Sequence, residues 1–193
     1  MKKLLLSLLI IVFTIPTMNA QFTKIGGGTV FTTGYHFNNE NTGIYADLHR
    51  SPLPGLFVTG IYELNLPFHL SPSFTFFIPR HNSGEFEETR TSTVMFDVNG
   101  HYVFNSLDRF EFYGLAGIDI AFAHIKWLDA VGSASSDNAL GLNLGVGTYM
   151  KLTNQFDLYG EAKYILSKYD QFVFNVGVLI NIDWLIKHEN TDL

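Results

Sequence analysis

Cysteine is absent from the chain. That excludes disulfide staples, thiol nucleophiles and cysteine metal sites together. Charge is scarce as well. Asp, Glu, Lys and Arg make up 16% of the residues, against about 25% in a typical soluble domain. Basic residues are the scarcer sign: 12 Lys and Arg stand against 18 Asp and Glu, for a formal charge of −6. A nucleic-acid partner is excluded on that ground, because phosphate binding needs a basic face. Beyond the first 20 residues no apolar run reaches the ~18 residues of a spanning helix. What remains plentiful is phenylalanine, with 18 residues, and glycine, with 17.

The chain opens "MKKLLLSLLIIVFTIPTMNA". Lys2 and Lys3 form a basic start, Leu4 to Ile15 an apolar stretch, and Asn19-Ala20 a small-residue cleavage site. This is the layout of a secretory signal peptide over residues 1–20. The alternative, an anchor helix, needs a longer apolar run of about 20 residues. Removal of the segment takes away two lysines and no acid, so the exported chain is more acidic than the precursor.

Alternation dominates the rest. In "LGLNLGVGTYM" (140–150) the even positions are Leu140, Leu142, Leu144, Val146, Thr148 and Met150; the odd ones are glycine, Asn143 and Tyr149. Successive side chains on a strand point to opposite faces, so this is a strand with one apolar wall. The pattern recurs over 68–78, 93–104, 110–122, 156–166 and 171–182. It is weaker over 56–63, and in "KIGGGTVFTTGY" (24–35) three glycines hide the phase. Pro72 interrupts one run and argues against a central strand unless a bulge absorbs it. Eight segments of roughly 8–13 residues result, near the ~9–11 that a membrane-spanning strand requires.

The connections alternate in length. Short ones fall at 64–67, 105–109, 152–155 and around 168–170; long polar ones fall at 36–54, 79–90 and 129–138. One tight rim and one loopy rim describe an up-and-down barrel. A soluble barrel would turn its apolar wall inward and face water with charged residues. The second faces of 140–150 and 172–182 carry no charge, so the apolar wall is expected to face lipid. The inner face then fills a narrow lumen, where Glu63, Asp97, Glu111, Asp119, Asp157 and Glu161 pair with Lys151, Lys163, His69 and His101. Tyr62, Phe68, Tyr102, Phe104, Phe110, Phe112, Phe156 and Trp184 all fall near the tight rim, as an interfacial girdle requires.

"KIGGG", "LSPSFTFFIP" (70–79), "FYGLAGID" (112–119), "LGLNLGVGTYMKLT" (140–153) and "LYGEAKYILSKYDQFVFNVGV" (158–178) together resemble the small outer-membrane β-barrel family of diderm bacteria. The chain is similar to its "outer membrane protein beta-barrel domain" members, related in form to OmpA/OmpX-type barrels. The resemblance spans nearly all of 22–182 and rests on the order of the motifs. It implies an all-β, eight-stranded antiparallel transmembrane barrel over 21–184, followed by a short polar tail over 185–193. It implies no particular activity. Such barrels often end on an aromatic residue read by the insertion machinery; here Ile182 or Trp184 would take that part.

No residue set announces catalysis. His69 and Ser71 share one strand face near the tight turn and, with Glu63, would be the one candidate hydrolase triad; a hydrogen-bonded lumen histidine is the expected role. His124, Lys126 and Trp127 read as interfacial anchors. His36, His49, His81 and His101 lack metal-ligand spacing. "GGG" (26–28) is followed by neither GK[ST] nor a helix, and "EFEE" (85–88) reads as a solvated charge run. The expectation is therefore a non-enzymatic outer-membrane barrel with a plugged lumen, no catalytic residue, no metal and no cofactor. It would support envelope integrity or present its long loops for adhesion or surface binding. Its partners would be lipopolysaccharide or phospholipid, the insertion machinery and an extracellular ligand. A lipid-modifying barrel enzyme and a soluble periplasmic binder of apolar ligands are the alternatives.

Overall fold

A computed structural model describes residues 21–34, 37–39, 44–46, 53–65, 67–83, 88–127 and 134–182. The expected signal peptide, Trp184 and the 185–193 tail lie outside these residues, as do His36, His49 and Glu85 to Glu87. Eight long strands close into an antiparallel barrel in the order β1-β10-β9-β8-β7-β6-β5-β4. They are β1 (Gln21–Thr32), β4 (Leu53–Asn65), β5 (Phe68–Ser83), β6 (Glu88–Ser106), β7 (Phe110–Trp127), β8 (Ala134–Lys151), β9 (Phe156–Ser167) and β10 (Gln171–Asn181). A two-stranded hairpin, β2 (Phe37–Asn39) with β3 (Ile44–Ala46), lies between β1 and β4. Each long strand pairs with its chain neighbours, and β1 pairs with β10 to shut the cylinder. Closure leaves no sheet edge, which is the condition for a strand protein to cross hydrocarbon.

The apolar wall faces out. Leu140, Leu142, Leu144 and Val146 are 53–68% exposed, whereas their neighbour Asn143 is fully buried. Strand β10 repeats the division, with Phe172, Phe174, Val176 and Val178 outside and Val173, Asn175 and Leu179 inside. The phase hidden in β1 is now visible: Phe22, Ile25 and Phe31 face out, and Lys24 and Val30 face in. A register shift between Phe22 and Lys24 resets the alternation there.

Two expectations need correction. The stretches 79–90 and 129–138 are not wholly loop. Strand β5 runs on to Ser83 and pairs through Ser83↔Glu88, and β8 starts at Ala134 opposite Lys126. Polar residues continue the ladder past the apolar band, where alternation of hydrophobicity no longer marks a strand. Likewise β4 begins at Leu53, inside the expected 36–54 loop. Pro72 sits in register opposite Val98 of β6 without a bulge at that pair. On its other side no pair is formed between Thr59↔Ser73 and Tyr62↔Leu70, and Thr59 Oγ1 donates to the Pro72 carbonyl at 3.2 Å. The missing N–H thus falls on the seam where the ladder is already interrupted.

The seam between β1 and β10 leaves no room for a side chain at its glycines. A Cβ placed on Gly26 would lie 2.0 Å from the Val178 carbonyl oxygen, and one on Gly28 would lie 2.1 Å from that of Val176. Only glycine permits this approach.

Candidate functional site

The lumen is filled from the tight rim upward. Tyr113, Tyr149 and Tyr159, from β7, β8 and β9, stack in one layer, with ring centroids 4.7 Å and 5.9 Å apart. His101 lies flat on Tyr113 at 4.2 Å, and its Nδ1 is 2.6 Å from the Tyr149 hydroxyl. Glycine makes room for these rings: a Cβ on Gly147 would come within 2.2 Å of the Tyr113 hydroxyl. The layer is rigid, because each ring is held by a neighbour and all three hydroxyls are hydrogen-bonded.

Above the rings sits an ion network. Lys163 Nζ is 2.9 Å from Asp97 Oδ1 and 3.7 Å from Glu161 Oε1. Asp97 also accepts from Ser73 and Asn143, at 3.2 and 2.8 Å. Glu161 accepts from Tyr159 at 2.6 Å, and from Tyr113 and Asn175 at 3.2 Å. Asp119 is buried opposite Asp97. Each ionised carboxylate bonded in this way keeps several donors, which offsets the cost of leaving water.

The expected pairing of lumen charges holds for Asp97, Glu161 and Lys163. His101 Nε2 also lies 3.7 Å from Glu161. Lys151 with Glu111 is an expected pair as well, at 3.7 Å, but at the open tight rim, with the lysine side chain about half exposed. Asp157 takes a partner outside the expected set, Lys24 at 2.9 Å. Lys24 is concealed in the sequence because the glycines that follow it hide the phase of β1; its opposite parity to the apolar Ile25 is the available signal.

His69 and Ser71 do lie together on the inner face, and Glu63 is paired with His69 in register. No triad forms. Ser71 Oγ is 3.0 Å from Thr59 Oγ1, and neither ring nitrogen of His69 meets a hydrogen-bond partner among the described residues. The hydrogen-bonded role expected for His69 is therefore not seen. His69 instead borders a basin of about 240 Å³ at the tight rim with Lys24, Glu63, Glu111, Lys151 and Asp157. Among the described residues no group of three His, Asp or Glu side chains is disposed to hold a metal ion.

Aromatic residues crowd the tight rim as expected. Phe68 and Tyr102 are exposed neighbours with centroids 5.4 Å apart, and Phe110 stacks with Phe112 at 6.0 Å. At the opposite rim, Asp137 of β8 lies above Leu140, the first large apolar outward residue of that strand. Burial would raise its carboxyl. Hydrogen bonds from Lys168, Tyr169 and the Asn138 N–H outweigh that and hold it below the ordinary aspartate range. The outward residues on the same rim are His124, with Nδ1 2.7 Å from Ser136 Oγ, then Lys126 and Arg90.

Comparison with known proteins agrees with this architecture. No curated protein matches the chain in sequence. Among solved structures, the attachment invasion locus protein Ail of Yersinia pestis superposes with a TM-score of 0.58 at 17% identity, covering 82% of this chain and 97% of that one. Neisserial surface protein A gives 0.57 at 14% identity, covering 83% and 97%. The N-terminal barrel domain of Pseudomonas aeruginosa OprF gives 0.54 at 14% identity, covering 84% and 98%. At such identities the likeness is one of fold. The sequence profile described as "Outer membrane protein beta-barrel domain" matches residues 5–181. That match spans every strand of a cylinder whose hydrocarbon side faces outward, and the chain therefore belongs to the outer membrane protein β-barrel domain family.

Proposed function

We propose that this protein is a non-enzymatic barrel of the outer membrane, exported by a cleaved signal peptide, which braces the envelope and presents its long-loop rim to the outside. The observation that carries the reading is the inverted polarity. An aliphatic and aromatic wall surrounds a lumen closed by stacked tyrosines and the Lys163 network. A rigid plugged cylinder leaves its rim and loops as the surface for contact. The attachment invasion locus protein of Yersinia pestis has been crystallised with the heparin analogue sucrose octasulfate. That supports surface binding as the kind of role a barrel of this shape can take. The lipid-facing wall contacts phospholipid or lipopolysaccharide, and insertion depends on the barrel assembly machinery of the cell.

The test has two arms. The first is cell fractionation with an epitope tag placed at 84–87. The reading expects heat-modifiable protein in the outer-membrane fraction and a tag that protease removes from intact cells. The second is deletion, expected to sensitise cells to detergent or to abolish surface binding while leaving lipid chain composition unchanged. A changed acyl profile would favour the enzyme; a periplasmic soluble protein would refute the reading.

A further inference from the structure

The outward face of β6, β7 and β8 changes character over three rows at the long-loop rim. Val94, Phe122 and Asn138 are aligned in the lowest row; Ser92, His124 and Ser136 in the next; Arg90 and Lys126 in the highest. Outward positions on one strand are about 6.8 Å apart, twice the rise per residue. Apolar, hydroxyl-imidazole and cationic rows thus follow one another within about 14 Å. The two lower rows border a groove of about 400 Å³.

Arg90 and Lys126 are cross-strand partners, and both are exposed. Like charges directly opposite each other on a sheet repel. Neither forms an ion pair with another described residue. Asp137, which also borders the groove, is already engaged by Lys168 and Tyr169. His124 uses Nδ1 on Ser136, so its Nε2 is the ring atom available to a ligand. An anion of the right depth would relieve the repulsion and collect charge-assisted bonds from all three side chains.

We propose that this face binds a lipid bearing a phosphate monoester, from the leaflet on the long-loop side. The inference rests on the outer-membrane reading above. The acyl chains lie along Val94 and Phe122, the linkage region meets Ser92, His124 and Ser136, and the phosphate sits between Arg90 and Lys126. Two adjacent cations match a monoester, about −1.5 to −2 near neutral pH, better than a singly charged diester. A free phosphate would forgo the apolar row.

The experiment uses the full barrel refolded in phosphatidylcholine-containing micelles, with refolding verified by heat-modifiable migration. Binding of phosphatidic acid is followed by native mass spectrometry and by the backbone amide shifts of Arg90, Ser92, His124 and Lys126. Phosphatidic acid is expected to bind about tenfold tighter than phosphatidylglycerol or phosphatidylcholine, and the preference should fall with added salt. Arg90→Gln/Lys126→Gln should remove that preference, while Lys151→Gln, on the opposite rim, should leave it intact. Equal binding of the three lipids overturns the proposal, as does an unaffected double variant or an equal loss with Lys151→Gln. Competition by sn-glycerol 3-phosphate at lipid-like concentrations would show a free-phosphate site and overturn it too. If the double variant fails to refold, the wild-type lipid ranking and amide shifts decide alone. A wild-type protein that dissolves without detergent refutes the barrel reading itself, which is a distinct result.

Discussion

Replacing Lys163 with methionine keeps most of the side-chain volume and deletes one charge. Lys163 is 1% exposed and lies 2.9 Å from Asp97 and 3.7 Å from Glu161. Removing one partner of a buried ion pair costs about 3–5 kcal/mol, because the other charge stays behind. Here the carboxylates are not abandoned: Asp97 keeps Ser73 and Asn143, and Glu161 keeps Tyr159, Tyr113 and Asn175. Those donors place the expected loss at the lower end, about 3 kcal/mol. With a urea slope of about 1–3 kcal/mol per molar, the unfolding midpoint in lipid vesicles should drop by about 1–3 M. The double variant Lys163→Met/Asp97→Asn should be less damaged than the sum of the singles, with a coupling of about 1.5 kcal/mol or more. Urea titrations read by heat-modifiable migration give all four corners of the cycle. Additive losses, or a Lys163→Met midpoint equal to wild type, would refute the claim that the Lys163–Asp97 pair helps hold the lumen together.

Three further outcomes follow from the same architecture. Val146 is 58% exposed on the outer wall, so Val146→Arg should cost about 2–4 kcal/mol if the site lies near mid-membrane; a neutral result in vesicle unfolding would place it outside hydrocarbon. Gly147→Ala puts a methyl within 2.2 Å of the Tyr113 hydroxyl, and Tyr113 is hemmed in by His101 and Tyr149. Overfilling of this kind costs about 1–3 kcal/mol, and thermal migration shifts should report it; the same change at outward Gly114, where the added atom meets nothing within 4 Å, should be tolerated. Asp137 is held below its ordinary value of 3.8, so it stabilises the fold above that pH and loses its contribution as pH falls through the lower, folded-state value. Asp137→Asn should therefore weaken protection of the 168–170 turn amides at pH 6 and have little effect well below pH 3.8; hydrogen exchange at the two pH values checks the sign.

The membrane-embedded part of the barrel was legible in the sequence because one polarity rule governs it. Outward residues such as Leu142 and Phe174 must be apolar, and inward ones such as Asn143 and Asn175 need not be. Outside the hydrocarbon that rule lapses. Arg80 to Ser83, Glu88 to Arg90 and Ala134 to Asn138 belong to strands but read as loop, since water accepts any polar side chain on either face. The lumen was half legible. Asp97, Glu161 and Lys163 stood out as charges on an otherwise uncharged or apolar scaffold, while Lys24 was masked by the glycines after it. The tyrosine layer was not foreseen, because Tyr113, Tyr149 and Tyr159 come from three strands and only register brings them level. The same is true of Arg90 beside Lys126.

The glycine seam sets an order of events. Lys24 meets Asn181 across it, a contact between the first and last barrel strands, and loop closure over such a separation is slow. β1 pairs along its length with β4, which is close to it in the chain, but on the β10 side Gly26, Gly27 and Gly28 offer no side chains to interlock. Zipping is therefore the final step, and every earlier species carries two unpaired strand borders prone to joining a neighbour's. Until the cylinder closes, those borders stand open to whichever strand reaches them first.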